Sequence, residues 1–477
     1  MDGWEYLTEP SSATRESEVN LSTTVTVVIF PRYAFAMVEL QEESEHDRTG
    51  VELFAGAGGL AMAVHGAGFR PLLFNEFAPR ACQTLEANGA KPRGDEERIP
   101  EPGEPWPLVA GDVQDLDMRY LLGRVDVLAG GPPCQPFSLG GIAKGDEDRR
   151  NMFPQMFKAM RQIRPKAVIC ENVVGLLRPS FKPYLDYIVR EMEMPFELRD
   201  PEIPWQKHDQ ALIEARRSTA DDPSERYKVV MTRVNAADYG VPQIRHRIII
   251  VAFREDLGVD IDQFNEDVLP RYSEQALFRS MLDDSDDSYW TRHPEVPDHV
   301  RALAMARARA GIRKDVSLTP DESKPWRTFR DAIAGIDENE GKPLPKIDWD
   351  RLDRNEYRAG GFTDHIGWPG ARIYKGHTPN ELDRPAKTVK AGVHGVPGGE
   401  SVMLTDDLET PGGTTYRHRY MTVRETARVM TFPDDWKLEG PRGEKMRQLG
   451  NAVPVKLGAV FANAVAKALD TASGSRT

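Results

Sequence analysis

Residues 125–138 read Val125-Asp126-Val127-Leu128-Ala129-Gly130-Gly131-Pro132-Pro133-Cys134-Gln135-Pro136-Phe137-Ser138. The first five are mostly apolar, as a parallel strand buried on both faces requires. The next nine include two glycines, three prolines and a hydroxyl, poor material for a core and good material for a loop of fixed shape. Proline on both sides of Cys134 fixes the backbone φ angles that aim the thiol. The carboxyl end of such a strand is where open α/β sheets place their ligand crevice. A lone cysteine is most often a small buried hydrophobe; with these neighbours Cys134 is a candidate nucleophile.

Outward from this stretch, short apolar runs alternate with helical ones. Residues 51–54, 71–74, 125–129, 167–170, 227–234 and 247–253 read as strands, with helices predicted over 60–66, 77–88 and 152–163 among them. This alternation predicts a largely parallel, doubly wound α/β sheet of the Rossmann-like type. The pattern stops after Phe253. From there to about residue 415 the chain is acidic, then rich in Gly, Pro, Arg and aromatics, which predicts a second, smaller irregular domain. Helices return over 421–430 and 453–469. The expected organisation is an N-terminal extension over 1–48, a catalytic domain over 49–254, an inserted domain over 255–415 and a segment over 416–477 that returns to the catalytic domain.

At 477 residues the chain is long enough for two or three domains. Its three cysteines, Cys82, Cys134 and Cys170, exclude a disulfide scaffold and favour a reducing compartment. No run of apolar residues reads as a membrane span, and the first residues lack the basic start of a signal peptide. The net charge of −13 argues at first against a nucleic-acid partner. However, residues 255–299 alone hold thirteen acidic and three basic residues, whereas 372–390 hold five basic and two acidic ones. A segregated pattern of this kind leaves room for a basic groove.

Four further segments carry chemistry. Glu52-Leu53-Phe54-Ala55-Gly56-Ala57-Gly58-Gly59-Leu60 runs from strand through glycine loop to helix, so the backbone can approach a ligand at a helix N-terminus. With Ala61 in place of a third glycine the dinucleotide fingerprint is met only in relaxed form, and a plain tight turn is the alternative. Asn75-Glu76-Phe77 follows the second strand, where a carboxylate holds ribose hydroxyls or caps a helix. Asp112, before Val113, accepts from an adenine amino group or caps a turn. Glu171 follows the strand ending at Cys170 and shares the sheet edge with Cys134, where it can protonate or hydrogen-bond a ring nitrogen. In Gln243-Ile244-Arg245-His246-Arg247, period two places Gln243, Arg245 and Arg247 on one side, suited to phosphate or carbonyl oxygens, with His246 on the other as a structural residue.

Taken in order, these segments resemble one family, the prokaryotic-type DNA (cytosine-5)-methyltransferases. The resemblance rests on Phe54-Ala55-Gly56-Ala57-Gly58-Gly59, Pro132-Pro133-Cys134-Gln135, Glu171-Asn172-Val173, Gln243-Ile244-Arg245-His246-Arg247, the stretch from Met421 to Arg428 followed by Thr431-Phe432-Pro433, and Gln448-Leu449-Gly450-Asn451-Ala452-Val453-Pro454. It covers roughly 51–253 and 416–469. The intervening 255–415 is where that family carries its target recognition domain, and Arg384-Pro385-Ala386-Lys387-Thr388-Val389 looks like the more recurrent core of that domain.

The resemblance implies a methyl group transferred from S-adenosyl-L-methionine to C5 of a cytosine flipped out of a specific duplex sequence, with S-adenosyl-L-homocysteine as product. Cys134 would add to C6, Glu171 would hold or protonate N3, and Arg247 with Arg245 would contact the base O2 and a phosphate. The cofactor would lie on Gly56, Gly58, Gly59 and Leu60, with Phe54 against the adenine, Glu76 and Phe77 at the ribose, Asp112 and Val113 at the adenine amine, and Asn451 and Val453 closing the pocket. Gln135, Ser138, Gln243, Arg384 and Thr388 would contact DNA, and residues 139–151 would close over the base. No metal-ligand spacing is present. The family further implies double-stranded DNA as partner, a cognate restriction endonuclease acting separately, a monomer, and a bacterial cytoplasmic, nucleoid-associated location. An RNA cytosine-5 methyltransferase and a catalytically silent DNA-binding regulator are the alternatives.

Overall fold

The computed structural model describes residues 48–94, 97–133, 151–217, 222–285, 288–312, 322–335, 342–344, 352, 363–376, 378–391 and 401–474. Its centre is an eight-stranded sheet of β1 (Arg48–Leu53), β2 (Phe69–Glu76), β3 (Lys91–Pro92), β4 (Pro107–Ala110), β5 (Val127–Gly130), β6 (Ala167–Val173), β7 (Tyr227–Asn235) and β8 (His246–Arg254). The spatial order is β3-β4-β2-β1-β5-β6-β8-β7. All strands from β3 to β6 pair in parallel. The chain winds outward from β1 to β2 and on to the edge strand β3, returns to lay β4 between β2 and β3, then restarts on the other side of β1 with β5. The topological switch point therefore lies between β1 and β5, where Leu53 is in register with Gly130.

The sheet is largely parallel as expected, and among the described residues β8 is its one reversed strand, running antiparallel to both β6 and β7. A parallel return needs a crossover of a dozen or more residues, and only residues 236–245 separate β7 from β8. The reversal has a consequence for chemistry: β8 begins, at His246 and Arg247, on the edge where the parallel strands end.

Period two in the central strands feeds two cores. Val51, Leu53, Leu128, Val168, Cys170, Ile248 and Ile250 face one side, under α3 (Phe153–Ile163) and α4 (Lys182–Glu193). Val127, Ala129, Ala167, Ile169, Ile249, Val251 and Phe253 face the other, under α1 (Gly59–Gly66) and the long C-terminal helix (Val455–Gly474). One window within Arg442–Gly474 is apolar enough to match a membrane span, contrary to the sequence expectation, but 67% of it is buried inside the protein. Its apolar side chains are used by the core. Helices α2 (Pro79–Ala87) and α5 (Trp205–Ala215) complete this unit, α5 packing on α4.

Beyond the sheet the chain is more regular than its composition predicts. It forms α6 (Ile261–Asp267), α7 (Glu274–Leu282), α8 (Tyr289–Arg292), α9 (Asp298–Gly311) and α10 (Phe329–Ile333), two short parallel strands β9 (Tyr272–Ser273) and β10 (Lys324–Pro325), and the hairpin β11 (Val402–Leu408) with β12 (Tyr416–Tyr420). Leu277, Phe278, Met281, Tyr289, Trp290, Ala304 and Ala308 form a separate apolar cluster that staples α7, α8 and α9 together. The chain closes with α11 (Val423–Val429), α12 (Arg442–Asn451) and α13, the Val455–Gly474 helix already described. Because β8 is reversed, the acidic stretch that follows Arg254 starts at the sheet edge opposite the strand carboxyl ends. Lys467 on α13 pairs with Asp267 there at 2.7 Å.

Candidate active site

The carboxyl edge of the sheet collects the predicted residues in strand order: Asp112 after β4, Glu76 at the end of β2, the glycine loop after β1, Gly131-Pro132-Pro133 after β5, and Glu171 in β6. Cys134, Gln135, Ser138 and most of the segment 139–151 lie outside the described residues. Their approach is defined, however. Asn172 Nδ2 donates to the Pro132 carbonyl at 3.0 Å, and Met152 N–H donates to the Pro133 carbonyl at 3.2 Å where the chain re-enters the fold. The other two cysteines, Cys82 and Cys170, are buried. Burial, aided by the Glu171 charge, pushes the Cys170 thiol up to about 12, and burial with the Glu76 and Glu86 charges pushes Cys82 up to about 11.

Glu171 is 7% exposed, and Arg247 Nε lies 2.7 Å from its Oε1. Its Oε2 is 3.7 Å from where a side chain on Gly131 would begin. The carboxyl group thus borders the backbone that leads, three residues on, to Cys134. Arg247 anchors itself by donating to the His246 carbonyl at 2.8 Å. His246 is exposed, so its expected structural role is corrected.

Gln243 and Arg245 require a larger correction. Strand β8 starts only at His246, and the preceding residues run beneath 386–389 instead of facing a ligand. Gln243 is fully buried: its Nε2 donates to Met430 Sδ at 3.0 Å and its Oε1 accepts from Val389 N–H at 3.1 Å. Arg245, 1% exposed, donates to the carbonyls of Val389, Gly450 and Ala452, each at 2.9 Å. Burial, reinforced by the Arg247 charge, pushes its guanidinium pKa down while Glu171 opposes this. Arg245 therefore ties three chain segments together and does not reach a base. Thr388 is half-buried and spends its hydroxyl on the Ile244 carbonyl at 2.8 Å. The Arg384 guanidinium is 3.9 Å from Glu274.

The glycine loop is built as a cradle. Gly56 and Gly58 take φ of +57° and +89°, and Phe54, a non-glycine, takes +58°; such outliers persist where the surroundings enforce them, commonly at ligand sites. Glu76 accepts from Gly56 N–H and from Ala78 N–H, both at 2.7 Å, so it clasps the loop and each oxygen keeps a second lone pair. Asn75 Nδ2 spans to the carbonyls of Val109 and Gly111 at 3.1 Å, fixing the position of Asp112. Asp112 caps a 3-10 turn by accepting from Gln114 N–H at 2.9 Å. Phe77 is 72% exposed, whereas Val113 and Leu60 are buried in the core; a contact from either to a cofactor would have to be through backbone. Gly59 has no room for a side chain, since a Cβ there would meet the Val453 carbonyl at 2.2 Å. Asn451 is exposed at the end of α12.

Glu52 is a site residue that sequence reading passed over, because a carboxylate inside a strand reads as solvent-facing. It is 3% exposed and its Oε2 is buried without a partner. Burial raises its pKa well above the ordinary carboxyl range, with the Glu76 charge adding to this and an Ala61 N–H bond opposing it. A buried carboxyl group with one unused oxygen, placed under a glycine loop at the start of α1, fits a nucleotide-like, amine-bearing cofactor.

A doubly wound sheet with a glycine loop at its switch point, the Pro132-Pro133 segment beside it and a Glu–Arg pair on the next strands has the form of a cofactor-dependent group-transfer enzyme. Comparison with known proteins narrows this. The family described as C-5 cytosine-specific DNA methylase matches residues 49–194 and 223–467. The Type II methyltransferase M.Eco47II of Escherichia coli is 31% identical over 88% of this chain and 79% of its own length. M.PspPI of Psychrobacter sp. (strain TA137) is 28% identical over 91% of this chain and 82% of its own. The solved S. pombe Dnmt2 methyltransferase covers 88% of this chain and 98% of its own at 15% identity, with a TM-score of 0.47.

The chain belongs to the C5-cytosine DNA methyltransferase family. It is a DNA (cytosine-5-)-methyltransferase dependent on S-adenosyl-L-methionine.

Proposed function

We propose that the enzyme methylates C5 of a cytosine extruded from a specific duplex sequence, through a covalent bond between Cys134 and C6. The observation that carries this reading is the Glu171–Arg247 pair set beside Gly131, three residues before Cys134. Cytosine C5 is a poor nucleophile. Addition of the Cys134 thiolate to C6 makes the ring an enamine, and Glu171 holds or protonates N3 to draw electrons in that direction. Arg247 orients Glu171 and would contact the base O2. S-adenosyl-L-methionine, held by the glycine loop with Glu76 at the ribose and Asp112 at the adenine amine, supplies the methyl group. Loss of the C5 proton and departure of the thiolate then restore the aromatic ring. Extrusion of the base costs a few kcal/mol, which contacts elsewhere on the DNA offset.

Of the residues the sequence indicated for those contacts, Gln135 and Ser138 lie outside the described residues, and the side chains of Gln243 and Thr388 are bonded within the fold. With Gln243, Arg245 and Thr388 committed to the fold, the stronger candidate is the segment 368–375. Trp368, Ile373 and Tyr374 are 37%, 43% and 48% exposed, and Arg372 and Lys375 lie among them. Its underside is pinned: Arg442 sits 5.0 Å from the Trp368 ring, and His418 Nε2 is 3.3 Å from the Ala371 carbonyl. Basic residues interleaved with exposed aromatics suit phosphates and bases.

Several relatives bear the name Type II methyltransferase, which supports a role as the modification enzyme of a restriction-modification system; a cytoplasmic monomer acting apart from its endonuclease is part of the same proposal. The test is transfer of tritiated methyl groups into duplex DNA and into tRNA, with bisulfite sequencing of DNA from cells expressing the chain. Label in DNA at cytosines of one sequence context supports the reading. Label in tRNA alone overturns it.

A further inference from the structure

The C-terminal part of the chain packs directly against the glycine loop. The Trp436 indole Nε1 donates to the Ala57 carbonyl at 3.0 Å, across 379 residues of sequence. Its ring occupies the space a side chain on Gly58 would need, with Cζ2 2.7 Å from that position. Phe432 Cζ lies 3.3 Å from the corresponding position on Gly59. Trp436 is 1% exposed, and its indole N–H is spent on the loop.

Trp436 is itself held from behind. Arg424, fully buried, donates through Nη2 to the Trp436 carbonyl at 2.7 Å and through Nη1 to the Pro433 carbonyl at 2.8 Å. Its Nε and Nη2 reach the Thr363 carbonyl at 3.1 Å and the Thr363 hydroxyl at 2.9 Å. The turn between α11 and Trp436 passes through Thr431 at φ +59°, and the Thr431 hydroxyl accepts from Lys456 N–H at 2.9 Å. A non-glycine residue in the left-handed region and a planar guanidinium with four fixed acceptors over-determine one orientation of the indole.

We propose that Trp436 is a positioning residue for the cofactor loop and that Arg424 sets Trp436. The Trp436 N–H fixes the carbonyl of the Ala57–Gly58 peptide, whose N–H donates to the Ala55 carbonyl at 2.9 Å, so the tight turn that leads into the start of α1 is held in one conformation at the ligand site. The inference rests on the glycine loop as the S-adenosyl-L-methionine site. It is independent of the covalent step.

The test is calorimetric titration of the full-length chain and its Trp436→Phe variant with S-adenosyl-L-homocysteine, alongside thermal melting and steady-state kinetics. Phenylalanine retains ring packing and removes only the donor. Loss of one buried hydrogen bond predicts weakening of S-adenosyl-L-homocysteine binding by about threefold to tenfold, a matching rise in KM for the methyl donor, and kcat and DNA affinity within about twofold of wild type. Arg424→Lys, which cannot supply the planar fork, is expected to shift binding in the same direction. Unchanged S-adenosyl-L-homocysteine affinity in Trp436→Phe overturns the proposal. So does a loss of cofactor and DNA affinity in step with a lowered melting temperature, since that marks a purely structural residue. Failure of the wild-type chain to bind S-adenosyl-L-homocysteine would instead remove the cofactor site itself.

Discussion

Arg247 Nε stands 2.7 Å from Glu171 Oε1 across the antiparallel β6–β8 pair, with side chains 12% and 9% exposed. The contact exists because β8 reverses direction, bringing its first residues to the edge where β6 ends. Glu171→Gln keeps the shape and removes the acid. It is expected to lower the single-turnover methylation rate by about 10²- to 10⁴-fold with DNA and cofactor affinities retained, as rapid-quench kinetics and binding titrations can check. Arg247→Ala leaves a nearly buried carboxylate unpaired and is expected to cost about 3 kcal/mol of stability, measured by urea unfolding.

Arg245 lies two residues away and has a different expected outcome. Arg245→Met strands the carbonyls of Val389, Gly450 and Ala452, and is expected to destabilise the fold by at least about 3 kcal/mol. The salt dependence of DNA binding by the folded fraction should be unchanged, because no phosphate contact is lost. A reduced slope of log K against log salt would return Arg245 to the DNA interface.

Glu52 gives the pH prediction. Its folded pKa is raised above the unfolded value of about 4.3, so between those two values the native state binds more protons than the unfolded state. Its contribution is fully present below the unfolded pKa and is lost as pH rises toward the folded one. Glu52→Gln, neutral at every pH, is expected to lose less stability than wild type between pH 5 and 8. Parallel stability curves for the two proteins across that range would contradict the assignment.

Much of the sheet was legible in the sequence because its period is local. The runs at 167–170 and 227–234 fall inside β6 and β7, the run at 51–54 overlaps β1 as far as Leu53, and the glycine loop, Glu76, Asp112 and Glu171 all come to one edge. Strand β4, Pro107–Ala110, was not legible: four residues opening on proline carry no period. Gln243 and Arg245 were misread for a different reason. Alternation shows which residues share a face, but not what covers that face, and the cover comes from residues near 389 and 450. Trp436 was invisible in the same way, its partner being a carbonyl 379 residues distant. Long-range packing decides burial, and burial decides whether an arginine serves the fold or the substrate.

The central claim is a reversible bond between the Cys134 sulfur and cytosine C6. Incubation with S-adenosyl-L-methionine and a duplex carrying 5-fluorocytosine at the target position tests it most directly, because fluorine at C5 cannot leave as the proton does and the adduct is held. The expected result is a protein–DNA band that survives denaturing electrophoresis for the wild-type chain and is absent for Cys134→Ser, which should still bind S-adenosyl-L-homocysteine. Methyl transfer by Cys134→Ser at near wild-type rate, or no trapped complex from an active wild-type enzyme, would contradict it.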